Sequence, residues 1–75
     1  MREVILKRIE EATFKKVIAD EPLISSGLLD SITLVELAVA IEEEFDIKIP
    51  FTDVNPQNFE NAANIEKLVV SLKNQ

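Results

Sequence analysis

Apolar residues in this chain fall at three- and four-residue steps over long stretches and alternate with polar ones only briefly. Val4, Ile5, Ile9 and Ala12 share the longer spacing, with Arg2, Glu3, Lys7, Arg8 and Glu11 between them. This predicts a first helix over residues 2–12. A second runs from about residue 30 to residue 45. At ~100° per residue, Leu34, Leu37, Ala38, Ile41 and Phe45 share one face, which is assigned to the core. Ile32, Val35 and Val39 form a second apolar stripe, bordered by Glu36, Glu42 and Glu43. Asn61 is placed to cap a last helix over residues 62–72, whose apolar face is Ile65, Leu68, Val69 and Leu72, with Lys73 near its negative end. Asn74 and Gln75 are expected to fray.

The connections follow from the breakers. Pro22 interrupts any helix in residues 13–26, where Phe14, Val17 and Ile18 either extend the first helix or anchor a loop. Leu23 and Ile24 are expected to tuck inward, and Gly27 marks a turn. Ile47 and Ile49 alternate with Asp46 and Lys48, so both should point inward from an extended exit, with Pro50 keeping Ile49 out of helical geometry. Asn55-Pro56 pairs a cap with a helix-compatible proline. It predicts a helix of one or two turns over residues 56–60, anchored by Phe59. The fold class is therefore all-α: three main helices plus a short fourth, in a single domain over residues 1–75.

The second helix opens on a distinctive entrance. Asp30 and Ser31 are both good N-cap residues, and Thr33 and Glu36 also have capping-box spacing. In each case Ser31 lies where free backbone N–H groups and the helix dipole favour an anion. Beyond capping, the second apolar stripe has two readings: additional core, or an exposed docking face with an apolar centre and steering carboxylates.

Charge sharpens the picture. The formal net charge is −6, and residues 30–60 alone hold eight acidic groups against Lys48. Such a surface is a poor match for nucleic acid, which needs Lys and Arg, and a better one for a basic protein patch. Cysteine and histidine are both absent, which removes disulfides, thiolate or imidazole zinc sites and a serine–histidine hydrolase. Residues 46–53 lack the alternating oxygen ligands and central glycine of a calcium hand, so no metal site is expected. No apolar run is long enough to span a membrane, and Met1-Arg2-Glu3-Val4 does not begin a signal-peptide pattern. The expected location is the cytoplasm.

A serine without a base is a weak nucleophile, and Asp30 beside Ser31 makes no catalytic constellation. Ser31 is thus better read as a substrate than as a catalyst, and the chain as a non-enzyme.

Residues 27–37, opening Gly27-Leu28-Leu29-Asp30-Ser31-Ile32, resemble the modification site of acyl and peptidyl carrier proteins, and the resemblance continues through Glu42-Glu43-Glu44-Phe45-Asp46-Ile47-Lys48-Ile49-Pro50 and residues 59–65. The resemblance implies an acyl-carrier-like bundle. It implies that Ser31 receives 4′-phosphopantetheine from coenzyme A through a separate phosphopantetheinyl transferase, with Asp30 engaging that enzyme and its Mg²⁺. Acyl or aminoacyl groups would then ride as thioesters on the arm, moving from a loading ligase to downstream synthases in specialised fatty acid, polyketide or peptide metabolism. The partner-facing set would be Ile32, Leu34, Val35, Glu36, Val39, Glu42 and Glu43, on a monomer.

Thr33 stands where many fatty-acid carriers have an acidic residue. Gly-Leu-Leu-Asp-Ser is closer to specialised carriers, D-alanyl carriers of cell-wall teichoic acid alanylation among them. A shielded cargo would need a cavity between the second helix and the short one, lined by Ile41, Ile49 and Phe51. The alternative from another class is an unmodified acidic helical adaptor for a basic partner.

Overall fold

The computed structural model describes residues 1–74; Gln75, expected to fray, lies outside them. Helix α1 spans Arg2–Thr13, α2 Ser31–Phe45 and α3 Ala62–Lys73, with a 3₁₀ turn at Phe51–Asp53. No strand occurs among the described residues. The molecule measures 31 × 23 × 18 Å.

Helix α1 is the common wall, packing against both α2 and α3. Its Ile5 and Ile9, one turn apart, are wholly buried, and Leu6 and Ala12 flank them. From α2 come Leu37, Ala38 and Ile41, with Leu34 and Phe45 half-buried; from α3 come Ala62, Ile65, Leu68 and Val69. Side-chain pairs tie the outer edges: Arg2 to Glu66 of α3 at 2.6 Å, and Arg8 to Glu44 of α2.

The ends of the helices have local causes. At the C-terminus of α1, the Thr13 hydroxyl donates to the Ile9 carbonyl at 2.7 Å, and Phe14 takes a left-handed cap at φ 62°. That bend throws Phe14 into solvent, 93% exposed, and Ile18 is also exposed. Of the three candidate anchors, only Val17 enters the core. Helix α2 ends on a second left-handed cap, Asp46 at φ 54°. Ile47 N–H then donates back to the Glu42 carbonyl at 3.1 Å, leading into buried Ile49. Lys73 lies in the last turn of α3, as expected, and its Nζ also reaches across to donate to the Phe45 carbonyl of α2 at 3.1 Å.

The short helical element lies earlier than the Asn55-Pro56 signal suggested. It is the turn at Phe51–Asp53, entered from Pro50. The Asn55 cap nevertheless forms, accepting from Asn58 N–H at 2.9 Å, and Phe59 N–H closes one turn onto the Asn55 carbonyl at 3.2 Å. A second turn has no room, because Asn61 already caps α3 by accepting from Asn64 N–H at 2.8 Å. Phe59 is wholly buried, as an anchor should be.

Candidate functional site

The entrance to α2 is built on a closed loop. Leu23 N–H donates to the Glu60 carbonyl at 2.6 Å, Gly27 N–H to the Ile24 carbonyl at 3.0 Å, and Leu29 N–H to the Leu23 carbonyl at 2.9 Å. Leu23 and Leu29 plug the core beneath it. Gly27 sits at φ 82°, a conformation that a side chain would strain although the space around it is open. Asp30 follows in extended geometry, and its Oδ1 accepts from Thr33 N–H at 2.7 Å. Asp30 is thus the N-cap. The Thr33 backbone N–H, and then the Thr33 hydroxyl, hold its carboxyl below the usual aspartate range.

Ser31 is the first helical residue and is exposed. Because Asp30 makes the cap bond, the Ser31 hydroxyl is not needed for it. The result is an accessible hydroxyl, fixed in position by a capped helix, at the positive end of the helix dipole. Phosphopantetheine fits such a place on two grounds. Its phosphodiester needs an open hydroxyl, and the retained negative charge is favoured at a helix N-terminus.

Beyond Ser31, the second stripe of α2 is uncovered: Ile32 is 70% exposed, Val35 52% and Val39 46%. The additional-core reading of that stripe is therefore set aside. Leu34 stands apart from it, half-buried against the core. Among the carboxylates, Glu36 and Glu43 are exposed, whereas half-buried Glu42 accepts from Ile49 N–H at 2.7 Å and so braces the exit from α2.

The expected cavity takes another form. Ile41 is wholly buried in the core and is not among the residues that line the groove beside α2. A surface groove of about 170 Å³ lies between Val35, Ala38 and Val39 on one side and Ile49, Phe51 and Val54 on the other. Phe51 stands on its rim, 88% exposed, and extends the apolar stripe.

Ile49 and Phe51 line the groove as expected, Phe51 from an exposed position. One residue escaped the sequence reading. Glu60 was treated only as the end of a short helix. Its carboxylate in fact accepts from Ile24 N–H at 2.9 Å, Ser25 N–H at 3.0 Å and the Ser25 hydroxyl at 2.6 Å. The Ser25 hydroxyl, then these amides, hold the Glu60 carboxyl below its ordinary range. A contact across 35 or 36 residues leaves no spacing signal to read.

Comparison with known proteins agrees with this geometry. Residues 4–69 match the family model described as the phosphopantetheine attachment site. The chain is 35% identical over 72 residues to the D-alanyl carrier protein of Streptococcus sanguinis strain SK36, covering 93% of this chain and 91% of that one. It is 36% identical over 74 residues to the D-alanyl carrier protein of Streptococcus suis strain 05ZYH33, covering 96% and 94%. With the D-alanyl carrier protein of Streptococcus mutans strain UA159 the identity is 33% over 76 residues, covering 99% and 96%. The chain belongs to the phosphopantetheine-attachment family and is a thioester carrier with covalently attached 4′-phosphopantetheine.

Proposed function

We propose that Ser31 is the attachment residue, that residues 1–75 act as one carrier domain, and that the load is a small aminoacyl group, D-alanine first among them. The observation behind the attachment reading is the division of labour at the helix entrance: Asp30 caps, and Ser31 stays exposed. The Ser31 oxygen attacks the phosphorus nearest pantetheine in coenzyme A. The new serine phosphodiester forms as the bond to adenosine 3′,5′-bisphosphate breaks, and the hydroxyl proton passes to a base of the transferase. Asp30, ionised and adjacent, is suited to help that enzyme hold its Mg²⁺. The bound group supplies the thiol that this cysteine-free chain lacks.

The D-alanyl reading draws support from the three relatives and from the shallowness of the groove, which offers little shelter to a long acyl chain. On this reading the carrier is not itself an enzyme. It works in the cytoplasm as a monomer between a phosphopantetheinyl transferase, an adenylating ligase and an acceptor system. No helix of the described residues is long and apolar enough to cross a membrane. Ile32, Val35 and Val39 form the apolar centre of the docking face, with Glu36 and Glu43 steering, Leu34 beneath it and Glu42 at its edge.

The test is intact mass after incubation with coenzyme A and a promiscuous transferase. One phosphopantetheine should be gained, and none by Ser31→Ala; no gain, or an equal gain in the variant, overturns the site. Cargo is then read by offering the holo protein D-alanine or fatty acids with the matching adenylating ligases. Preferential loading with a fatty acid overturns the D-alanyl reading. An adaptor that works normally as Ser31→Ala, and fails as Val35→Glu, would replace it.

A further inference from the structure

The loop that delivers Ser31 has few interior contacts of its own. Between Thr13 and Asp30 only Val17, Leu23 and Leu29 are buried, and the backbone is irregular throughout. What holds the last part is one residue from the other end of the chain. Glu60 receives Leu23 N–H on its carbonyl and Ile24 N–H, Ser25 N–H and the Ser25 hydroxyl on its carboxylate. Four donors from three consecutive loop residues therefore converge on one side chain and its own backbone.

Glu60 is itself well held. Wholly buried Phe59 precedes it, and Asn61, the side-chain cap of α3, follows. Its position is thereby referred to the core and to α3. From Ser25 the chain runs through the Gly27 turn to Leu29, whose N–H returns to Leu23 and closes the loop. Asp30 and Ser31 come next. Between Ile24 and the α2 entrance the loop is tied by its own short bonds, Gly27 N–H to the Ile24 carbonyl, the Ser26 hydroxyl to the Leu23 carbonyl and Leu29 N–H to the Leu23 carbonyl, so a displacement at Ile24 and Ser25 is passed along a connected unit toward Asp30 and Ser31.

We propose that Glu60 is a positioning residue for Ser31, clamping the loop of residues 23–29 so that the transferase meets the hydroxyl in one geometry. This rests on Ser31 being the attachment site. Transfer to a hydroxyl demands alignment of the attacking oxygen with phosphorus, and small misplacements are costly. With the clamp gone, the two amides and the Ser25 hydroxyl turn to water, and the competent loop becomes one of several arrangements. The enzyme then sees a reduced fraction of usable substrate, which raises the apparent KM and leaves kcat near its original value.

The experiment is steady-state transfer from coenzyme A by a purified phosphopantetheinyl transferase, with the full chain as substrate. Glu60→Ala should raise the KM for the carrier about three- to tenfold, the range expected for losing charge-assisted hydrogen bonds at a partly exposed site. Glu60→Gln keeps an oxygen for the two amides and should recover most of the loss. Val69→Ala, a core change on α3, lowers thermal stability without touching the loop and should leave KM alone. A structural role without positioning predicts the opposite pattern, with KM following thermal stability across the three variants. If Glu60→Ala does not fold, Ser25→Ala removes one of the clamp's donors and should still raise KM. The inference is overturned if these clamp variants match wild type while Ser31→Ala stays unlabelled. If wild type itself takes no label, the attachment reading falls first and takes this inference with it.

Discussion

Val35 on the uncovered face of α2 offers a direct measure of docking. Full burial of a valine side chain is worth about 1.5–3 kcal/mol. Val35 is 52% exposed, so about half that gain, ~1 kcal/mol, remains available at an interface. Val35→Ala removes two methyl groups; at ~0.8 kcal/mol each when fully buried, and half of that here, the loss is about 0.8 kcal/mol, or about fourfold in Kd. Val35→Glu also places a charge at the apolar centre, and should weaken docking by more than about tenfold. By the same arithmetic the half of Val35 already covered is worth about 0.8 kcal/mol to the fold, so stability should fall by no more than about 1 kcal/mol. The assay is titration of the holo protein against its adenylating ligase, alongside urea unfolding followed by far-UV circular dichroism. The optical choice is dictated by the chain, which has neither tryptophan nor tyrosine. Loading of Val35→Glu at wild-type efficiency refutes the docking face. A stability loss of about 2–5 kcal/mol, as for a buried leucine cut to alanine, refutes the exposure from which the magnitude was worked.

Phe59→Ala should cost about 3–5 kcal/mol against a total near 4–11 kcal/mol for a domain of this size, seen as a large drop in the urea midpoint. Glu42→Ala strips the partner from the Ile49 amide and should cost about 1 kcal/mol in the same assay, whereas Glu36→Gln and Glu43→Gln should leave stability unchanged and reduce the salt dependence of partner association. Asp30→Asn keeps the cap geometry and should unfold like wild type, yet lose transferase efficiency; equal efficiency would remove the carboxylate from the proposed chemistry. Asp30 and Glu60 both have carboxyls depressed from their ordinary values of 3.8 and 4.5. Their stabilisation is complete above those values and is lost as pH falls through the lower folded ones. Unfolding curves taken down through that range should show Asp30→Asn/Glu60→Gln losing less stability on acidification than wild type, a difference that cancels the relief of general charge repulsion common to both.

The helices were legible because their signals are local. Ile5 and Ile9, Leu37 and Ile41, and Ile65 and Val69 sit one turn apart and are all buried. Asp30 and Asn61 cap the residues three places on, within reach of any reader of spacing. What escaped depends on where the chain stops or on distant partners. Phe14 looks like a core residue by type, yet the helix ends one residue earlier and the left-handed cap points it outward. The path of residues 15–30 is set by bonds such as Ala63 N–H to the Ala19 carbonyl and Leu23 N–H to the Glu60 carbonyl, which no periodicity announces. The place of Lys73 in the last turn of α3 was legible, but its bond to the Phe45 carbonyl, 28 residues away along the chain, was not.

The acidity of residues 30–60 is likewise misleading as a sum. Eight carboxylates invite the reading of a single electrostatic face. Four of them have structural engagements: Asp30 caps α2, Glu42 braces Ile49, Glu44 pairs with Arg8, and Glu60 holds the loop before Ser31. Glu36, Glu43, Asp46 and Asp53 have no side-chain partner among the described residues, and only Glu36 and Glu43 belong to α2, near the exposed valines. On the proposed docking reading, a basic partner would meet a narrower acidic feature than the composition suggests, set beside an apolar stripe that starts at Ile32, the residue after the Ser31 hydroxyl. Exposed pairs with such carboxylates are individually weak and mostly alter encounter rate, so on that reading the free energy of docking would come chiefly from the exposed Ile32, Val35, Val39 and Phe51. A carrier that must leave each enzyme after serving it benefits from that division, because a modest apolar area limits how long it stays bound while long-range charge keeps re-encounter fast.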